Sequence, residues 1–322
     1  MTDLMSRLGM ERPVMQAGMG GGVATSALAA AVSGGGGLGT IGILPPDALR
    51  AEIAAVRALT SKPLAVNVIV PLARRGHWEV ASEADVVVTH WEASPRRRTP
   101  KPWIHTIGSV DEALAAVAAG ADAVIAQGVE AGGHVRGTVP ALELLDQVLR
   151  AVVSRVPVVV AGGIATAADV QIALDAGAAA AVSGTAFLAT DESRAHDGYK
   201  QRLVESDETV LTELFGLGWP HAPHRVLLNA ATRRWLKDDP RGPAGVRALH
   251  AAMGGVARLT PMSVQLRMAR RAASGALDLT ASPVVDGMPL ATVDTHPLYA
   301  GETVARITEI RPAASVLDDL TP

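Results

Sequence analysis

The residues best suited to chemistry lie in 122–134, Asp-Ala-Val-Ile-Ala-Gln-Gly-Val-Glu-Ala-Gly-Gly-His. An unperturbed imidazole titrates near about 6.5, so His134 can exchange a proton close to neutral pH. As a neutral base it can remove an acidic C–H proton; as imidazolium it can hold an anion by a charge-assisted hydrogen bond. Gly132 and Gly133 let backbone come against a ligand where no side chain would fit. Gln127 ends the apolar run and carries both a donor and an acceptor. Glu130 is read either as a brace for the loop through backbone N–H groups or as a solvated carboxylate.

Two later stretches suit an anion. Pro157-Val-Val-Val-Ala-Gly-Gly-Ile164 and Ala181-Val-Ser-Gly-Thr-Ala186 each end an apolar run in small residues, so Ala161, Gly162, Gly163, Gly184 and Thr185 can turn backbone N–H groups toward one phosphate. The four lysines include none in a G-x-x-x-x-G-K-[ST] motif, which argues against a P-loop. Gln16-Ala-Gly-Met-Gly-Gly-Gly22 lacks the spacing of a dinucleotide fingerprint and suits backbone lying against a flat ring. His221 and His224 stand without a third ligand, and cysteine is absent, so no metal is expected.

These stretches need a scaffold that gathers strand ends. Eight short β-like runs recur: Pro13–Ala17, Gly37–Ile41, Pro63–Asn67, Ala84–Thr89, Pro102–Thr106, Asp122–Gln127, Pro157–Ala161 and Ala179–Ser183. Helical patterns alternate with them, which predicts an α/β fold of the (β/α)8 TIM-barrel type. Ser109-Val-Asp-Glu112 reads as a capping box and Thr166-Ala-Ala-Asp169 as a weaker one. Gly120 and Gly177 read as left-handed helix ends. The stretch between Thr89 and Pro102 holds two prolines in a dozen residues and predicts a loop in place of the fourth barrel helix. In a barrel the strands' C-terminal ends carry the site. Those ends here are Gln16, Asn67, Thr106, Gln127, Gly162-Gly163 and Gly184-Thr185, with His90 and Trp91 as further candidates at the mouth. Residues 1–199 and 295–322 are expected to form the barrel, and 200–294 a mostly helical cap over its mouth.

With 48% apolar and 19% charged residues the chain can bury a large core, and disorder is excluded. A net charge of -3, and no basic run beyond Arg96-Arg97-Arg98, predict no nucleic-acid partner, with that triplet in a solvated loop. No secretory signal or membrane span is expected, and the lack of cysteine fits a reducing cytoplasm.

The chain resembles the nitronate monooxygenase (2-nitropropane dioxygenase-like) family of FMN-dependent barrels, which includes FMN-dependent enoyl-acyl-carrier-protein reductases. The resemblance runs through Pro13–Met19, Gly36–Gly39, Asn67, Gly120–His134, Ala161–Ile164, Gly184–Leu188, Glu192-Ser193, Tyr199-Lys200 and Leu298–Glu302. It implies FMN as cofactor, with Ala17, Gly18 and Met19 against the isoalloxazine ring. Asn67 and Gln127 would bond its polar edge or ribityl chain, and Gly162, Gly163, Gly184 and Thr185 its phosphate. Gln16, Thr106, Gly133 and Ala161 complete that implied set, and His134 faces the substrate as the catalytic residue. The implied reaction oxidises alkyl nitronates with dioxygen to carbonyl compounds and nitrite; the alternative is an NAD(P)H-dependent enoyl-thioester reductase. A small-molecule substrate and O2 are thus the expected partners, with homo-oligomerisation left open. Gly18 stands where the family usually has proline, Thr106 where a longer polar or basic residue often sits, and Val135 is inserted before Arg136-Gly137.

Overall fold

All eight apolar runs are strands of one sheet. The computed structural model describes residues 3–217, 219, 221–260, 264, 279 and 281–322. The barrel strands are β1 (Val14–Gln16), β2 (Gly39–Ile41), β3 (Leu64–Ile69), β4 (Val86–His90), β5 (Trp103–Ile107), β6 (Ala123–Gln127), β8 (Val158–Ala161) and β9 (Ala181–Ser183); a two-residue strand, β7 (Gly133–His134), lies outside them. The order is β1-β9-β8-β6-β5-β4-β3-β2, parallel throughout. A bridge between Met15 and Leu38 joins the outer strands, with Leu38 N–H donating to the Val14 carbonyl at 3.0 Å and Gln16 N–H to that of Leu38 at 3.0 Å. The result is the expected (β/α)8 barrel.

Side chains alternate across each strand, and both faces are apolar because both are covered. The outer face packs Val124, Ala126, Val158 and Val160 against Leu144, Leu145 and Val148 of α6 (Ala141–Val152). The inner face stacks Ala65, Val86, Val88, Ile104, Ala123, Ile125 and Val159 in layers, with Leu4, Met5 and Leu8 of α1 (Asp3–Leu8) in the same cluster. Each such fully buried Val, Leu or Ile stabilises the fold by roughly 1.5–3 kcal/mol. Two residues beyond the last inner apolar position the strands turn polar, which sets Asn67, His90, Thr106 and Gln127 on the inner face at one end. Gln16 follows inward-facing Met15 and so falls on the outer face of its strand.

Helix ends explain how the loops are held. Ser109 Oγ accepts from Glu112 N–H at 3.3 Å at the start of α5 (Val110–Ala118). The Glu112 carboxylate does not return to Ser109: it takes Gly108 N–H at 2.8 Å and pairs with Arg136. The box expected to be weaker is complete. Asp169 N–H donates to Thr166 Oγ1 at 3.3 Å and Thr166 N–H to Asp169 Oδ2 at 2.9 Å, opening α7 (Ala167–Asp175). Gly120 and Gly177 have φ of 86° and 100°, as left-handed ends require.

The fourth crossover has no helix over residues 91–102. Polar contacts hold it instead: His105 Nε2 meets the Glu92 carbonyl at 2.8 Å, and Thr89 Oγ1 lies 2.7 Å from His105 Nδ1. The arginine triplet lies in an exposed loop, as expected, and makes surface contacts there. Arg97 pairs with Asp122 at 3.0 Å, and Arg98 lies over the Trp78 ring at 5.3 Å.

The segment expected as a cap begins within α9 (Asp197–Glu205) and continues through β10 (Thr209–Thr212), β11 (His224–Leu227), α10 (Ala230–Trp235) and α11 (Ala244–Leu259). An antiparallel sheet β10-β11-β7 was not anticipated; it ties this segment to the loop after β6 through the pairs His224 to His134 and Arg225 to Gly133. Residues 261–263, 265–278 and 280 of the expected cap lie outside the described residues. The chain returns to the barrel at α12 (Ala313–Leu320), whose Val316 and Leu317 join the cluster containing Val32 of α2 (Ser26–Gly34).

Candidate active site

The strands' C-terminal ends and the 209–260 segment enclose one cavity of about 630 Å³. Every residue singled out as a site candidate lines it: Gln16, Ala17, Gly18, Met19, Asn67, Thr106, Gln127, Gly133, His134, Ala161, Gly162, Gly163, Gly184 and Thr185, with His90 and Trp91. Glu130 lines it as well, and both carboxylate oxygens accept from Ala141 N–H, at 3.1 and 3.0 Å, at the N-terminus of α6.

Several of these side chains are already engaged. Gln127 Nε2 donates to the His134 carbonyl at 3.1 Å, and its Oε1 accepts from Arg136 N–H at 2.8 Å. The two ends of one amide thus clamp the loop that carries His134. Gln16 Oε1 accepts from Thr40 N–H at 2.9 Å and its Nε2 bonds the Ala17 carbonyl, so this side chain ties β1 to β2. Thr185 Oγ1 accepts from Gly301 N–H at 2.9 Å, which leaves its hydroxyl hydrogen to donate elsewhere. Asn67 is engaged at one end only. Its Nδ2 donates to the Gly18 carbonyl at 3.0 Å, while Oδ1 is buried without a partner, as is Thr40 Oγ1.

The backbone comes close where a flat or anionic group would need it. A Cβ on Gly18 would stand 2.3 Å from Asn67 Cβ, so only glycine allows that loop to lie against Asn67. Gly162 and Gly163 have φ of 115° and 76°, and a Cβ on Gly163 would meet nothing within 4 Å, which leaves its open side to the cavity.

Part of the cavity wall is aromatic. His134 stacks on Trp219 with ring centres 4.3 Å apart and planes at 25°, with His224 at 5.2 Å, Tyr299 at 5.6 Å and Trp91 at 6.0 Å. Arg136 lies over Trp91 at 5.1 Å and pairs with Glu112, which fixes the residue after the inserted Val135. Buried and partnerless on this wall are His134 Nε2, His90 Nε2 and Trp91 Nε1. Burial first, then His224 and His90, push the His134 pKa well below the usual histidine value. His90 is pushed down to about 3 and His224 to about 4, in both cases by burial first. His134 is therefore a neutral imidazole near pH 7, and the imidazolium considered from the sequence is not the resting form. His224 is placed by its own bonds: Nε2 accepts from Phe215 N–H at 3.2 Å, leaving Nδ1–H for the Ala222 carbonyl at 3.0 Å.

Trp219, Tyr299, His224, Thr40 and Arg136 were not singled out as site residues from the sequence. One signal was available. The chain has five Trp, two Tyr and two Phe, and four of these, Trp91, Trp219, Tyr199 and Tyr299, line this cavity. Among the described residues no group of His, Asp or Glu could hold a metal ion, and no helix is long and apolar enough to cross a membrane.

Comparison with known proteins agrees with this geometry. A curated relative from Mycobacterium tuberculosis, (3aS,4S,5R,7aS)-5-hydroxy-7a-methyl-1-oxo-octahydro-1H-indene-4-carboxyl-CoA dehydrogenase, is 33% identical over 99% of this chain and 92% of its own length. The nitronate monooxygenase of Pseudomonas aeruginosa is 35% identical over 72% of this chain and 82% of its own. The solved nitroalkane oxidase of Streptomyces ansochromogenes superposes with a TM-score of 0.76 at 30% identity, over 98% of this chain and 96% of that one. The nitronate monooxygenase family model matches residues 2–93 and 101–322, so the break falls in the helix-less fourth crossover while every site residue lies inside the match. With barrel, glycine loops and histidine wall all within it, the chain belongs to the nitronate monooxygenase family of flavin-dependent oxidoreductases.

Proposed function

We propose that the protein is an FMN-dependent nitronate monooxygenase that oxidises alkyl nitronates with dioxygen to carbonyl compounds and nitrite. The observation that carries this reading is a neutral, partnerless His134 Nε2 lining the same cavity as the glycine loops and the orphaned Asn67 Oδ1. The residues present fit a flavin mononucleotide. Asn67 Oδ1 and Thr40 Oγ1 are the polar atoms left for its heteroatoms, the Gly18 loop for its ring, and Gly162, Gly163, Gly184 and Thr185 for one phosphate. Bound there, FMN supplies the redox chemistry.

The chain's own groups do the rest. A histidine held neutral by burial is available as a base throughout the neutral range, but its low pKa makes it a weak one. It suits substrates that arrive already deprotonated, so preformed nitronates are preferred over neutral nitroalkanes. For a neutral nitroalkane, His134 Nε2 takes the α-proton. Trp91 Nε1–H, buried without a partner beside it, donates to a nitro oxygen, a role that no charged imidazole fills here. Oxygen consumption and nitrite release with nitronates and nitroalkanes, beside NAD(P)H oxidation with enoyl thioesters, test the proposal, and turnover of enoyl thioesters alone would overturn it.

One observation favours a second reading, oxidation or reduction of a thioester-linked acyl group. The relative named as a carboxyl-CoA dehydrogenase matches 99% of the chain, against 72% for the nitronate monooxygenase of P. aeruginosa. Fast anaerobic bleaching of the flavin by NAD(P)H would support an NAD(P)H-dependent reductase over the nitronate reading.

A further inference from the structure

The cavity's apolar lining includes Ile69, Leu72, Leu217, Trp219, Met253 and Val256. Met253 and Val256 stand three residues apart on α11 and so share one face, and Val256, 55% exposed, forms an apolar rim. Among the described lining residues only Glu130 and Arg136 carry a formal charge, and neither faces a ligand unspent. Glu130 takes Ala141 N–H, and Arg136 is paired with Glu112 under the Trp91 ring. A short substrate would leave this apolar wall wetted.

We infer that the substrate carries an extended apolar body, an alkyl chain of about six or more carbons or an alicyclic ring system, which lies along the α11 wall while its reacting group sits at His134. The inference rests on the nitronate reading above and names the substrate class for that site. Leu72 and Leu217 add apolar surface to the lining, and Met253, unbranched and adaptable, suits bodies of varied shape.

The test uses the flavin-loaded protein and a homologous series of preformed nitronates, from nitroethane through 1-nitrobutane to 1-nitrohexane, with nitrocyclohexane beside them. Burial of each added methylene raises kcat/KM about fourfold, so 1-nitrohexane, four methylenes longer, exceeds nitroethane by roughly two hundredfold. A flat or falling series overturns the inference. Met253→Gln, close in size and compatible with a helix, lowers the gain per methylene to about twofold in the same assay, and an unchanged gain also overturns it. The second measurement needs no turnover. Unreactive n-alkyl amides of increasing length are titrated against the fluorescence of Trp91 and Trp219 on the cavity wall, and affinity rises with length. If no nitronate of any length is oxidised the proposed reaction fails, while the amide series still decides the apolar body: affinity independent of length refutes it.

Discussion

Gln127 is the most informative position to perturb, because it clamps the loop that carries His134 instead of presenting a free amide. Leucine is similar in size and cannot bond, so Gln127→Leu strands two backbone groups, the His134 carbonyl it meets at 3.1 Å and the Arg136 N–H at 2.8 Å. An unsatisfied buried group costs about 1–3 kcal/mol, so two would cost roughly 2–6 kcal/mol. Gly133 and His134 are half-buried at the cavity, so water restores part of this, and a net loss of about 2 kcal/mol is expected. For a chain of 322 residues that lowers Tm by roughly 3 °C. The clamp also aims His134, so kcat on neutral nitroalkanes falls at least tenfold while FMN stays bound within a few-fold of the original affinity. Gln127→Glu keeps the acceptor for Arg136 N–H and loses only the donor, and falls between the two. Thermal melting, flavin titration and nitrite release are measured on all three proteins. If Gln127→Leu loses FMN but keeps its melting temperature, the side chain is a cofactor ligand and the clamp argument is refuted.

Three further outcomes follow from the same geometry. His134→Asn retains FMN, loses most activity on neutral nitroalkanes and less on preformed nitronates; unchanged kcat/KM on both removes His134 from the mechanism. Gly18→Ala places a Cβ 2.3 Å from Asn67 Cβ, so the ring-side loop shifts, stability drops by about 1–3 kcal/mol and flavin affinity falls at least tenfold, which a flavin titration checks. The folded pKa of His224, about 4, lies below the unfolded value near about 6.5, so the unfolded chain binds the proton first as pH falls. Stability is thus full above about 6.5 and lost between there and about 4, on the order of 3 kcal/mol for this residue. His224→Gln flattens the dependence of Tm on pH in that window, and a wild-type Tm constant from pH 7 to 4.5 would contradict the assignment.

The division between sequence and tertiary structure follows from the range of the forces involved. Local pattern alone determined the eight strands, the two left-handed glycine ends, the helix-less fourth crossover and the loops at the strand ends, since each depends on a few neighbouring residues and on the rule that a buried parallel strand is apolar throughout. The same reasoning reached Gly162, Gly163, Gly184 and His134, because a barrel sends all strand ends to one mouth. It could not tell which polar side chains at that mouth are already spent. Gln16 and Gln127 read like Asn67 in the sequence, yet Gln16 falls on the outer face of a three-residue strand and Gln127 meets a loop seven to nine residues ahead. Of these three amides Asn67 alone keeps a free acceptor, because Gly18 occupies its donor and Oδ1 has no partner. The aromatic wall was equally hidden. Trp219 and Tyr299 come from segments far along the chain, and the pairing of β7 with β11 brings His224 beside His134 across ninety residues. That packing, and the desolvation it imposes, holds His134 neutral, a property that no local pattern encodes because it depends on what the folded chain places around the ring.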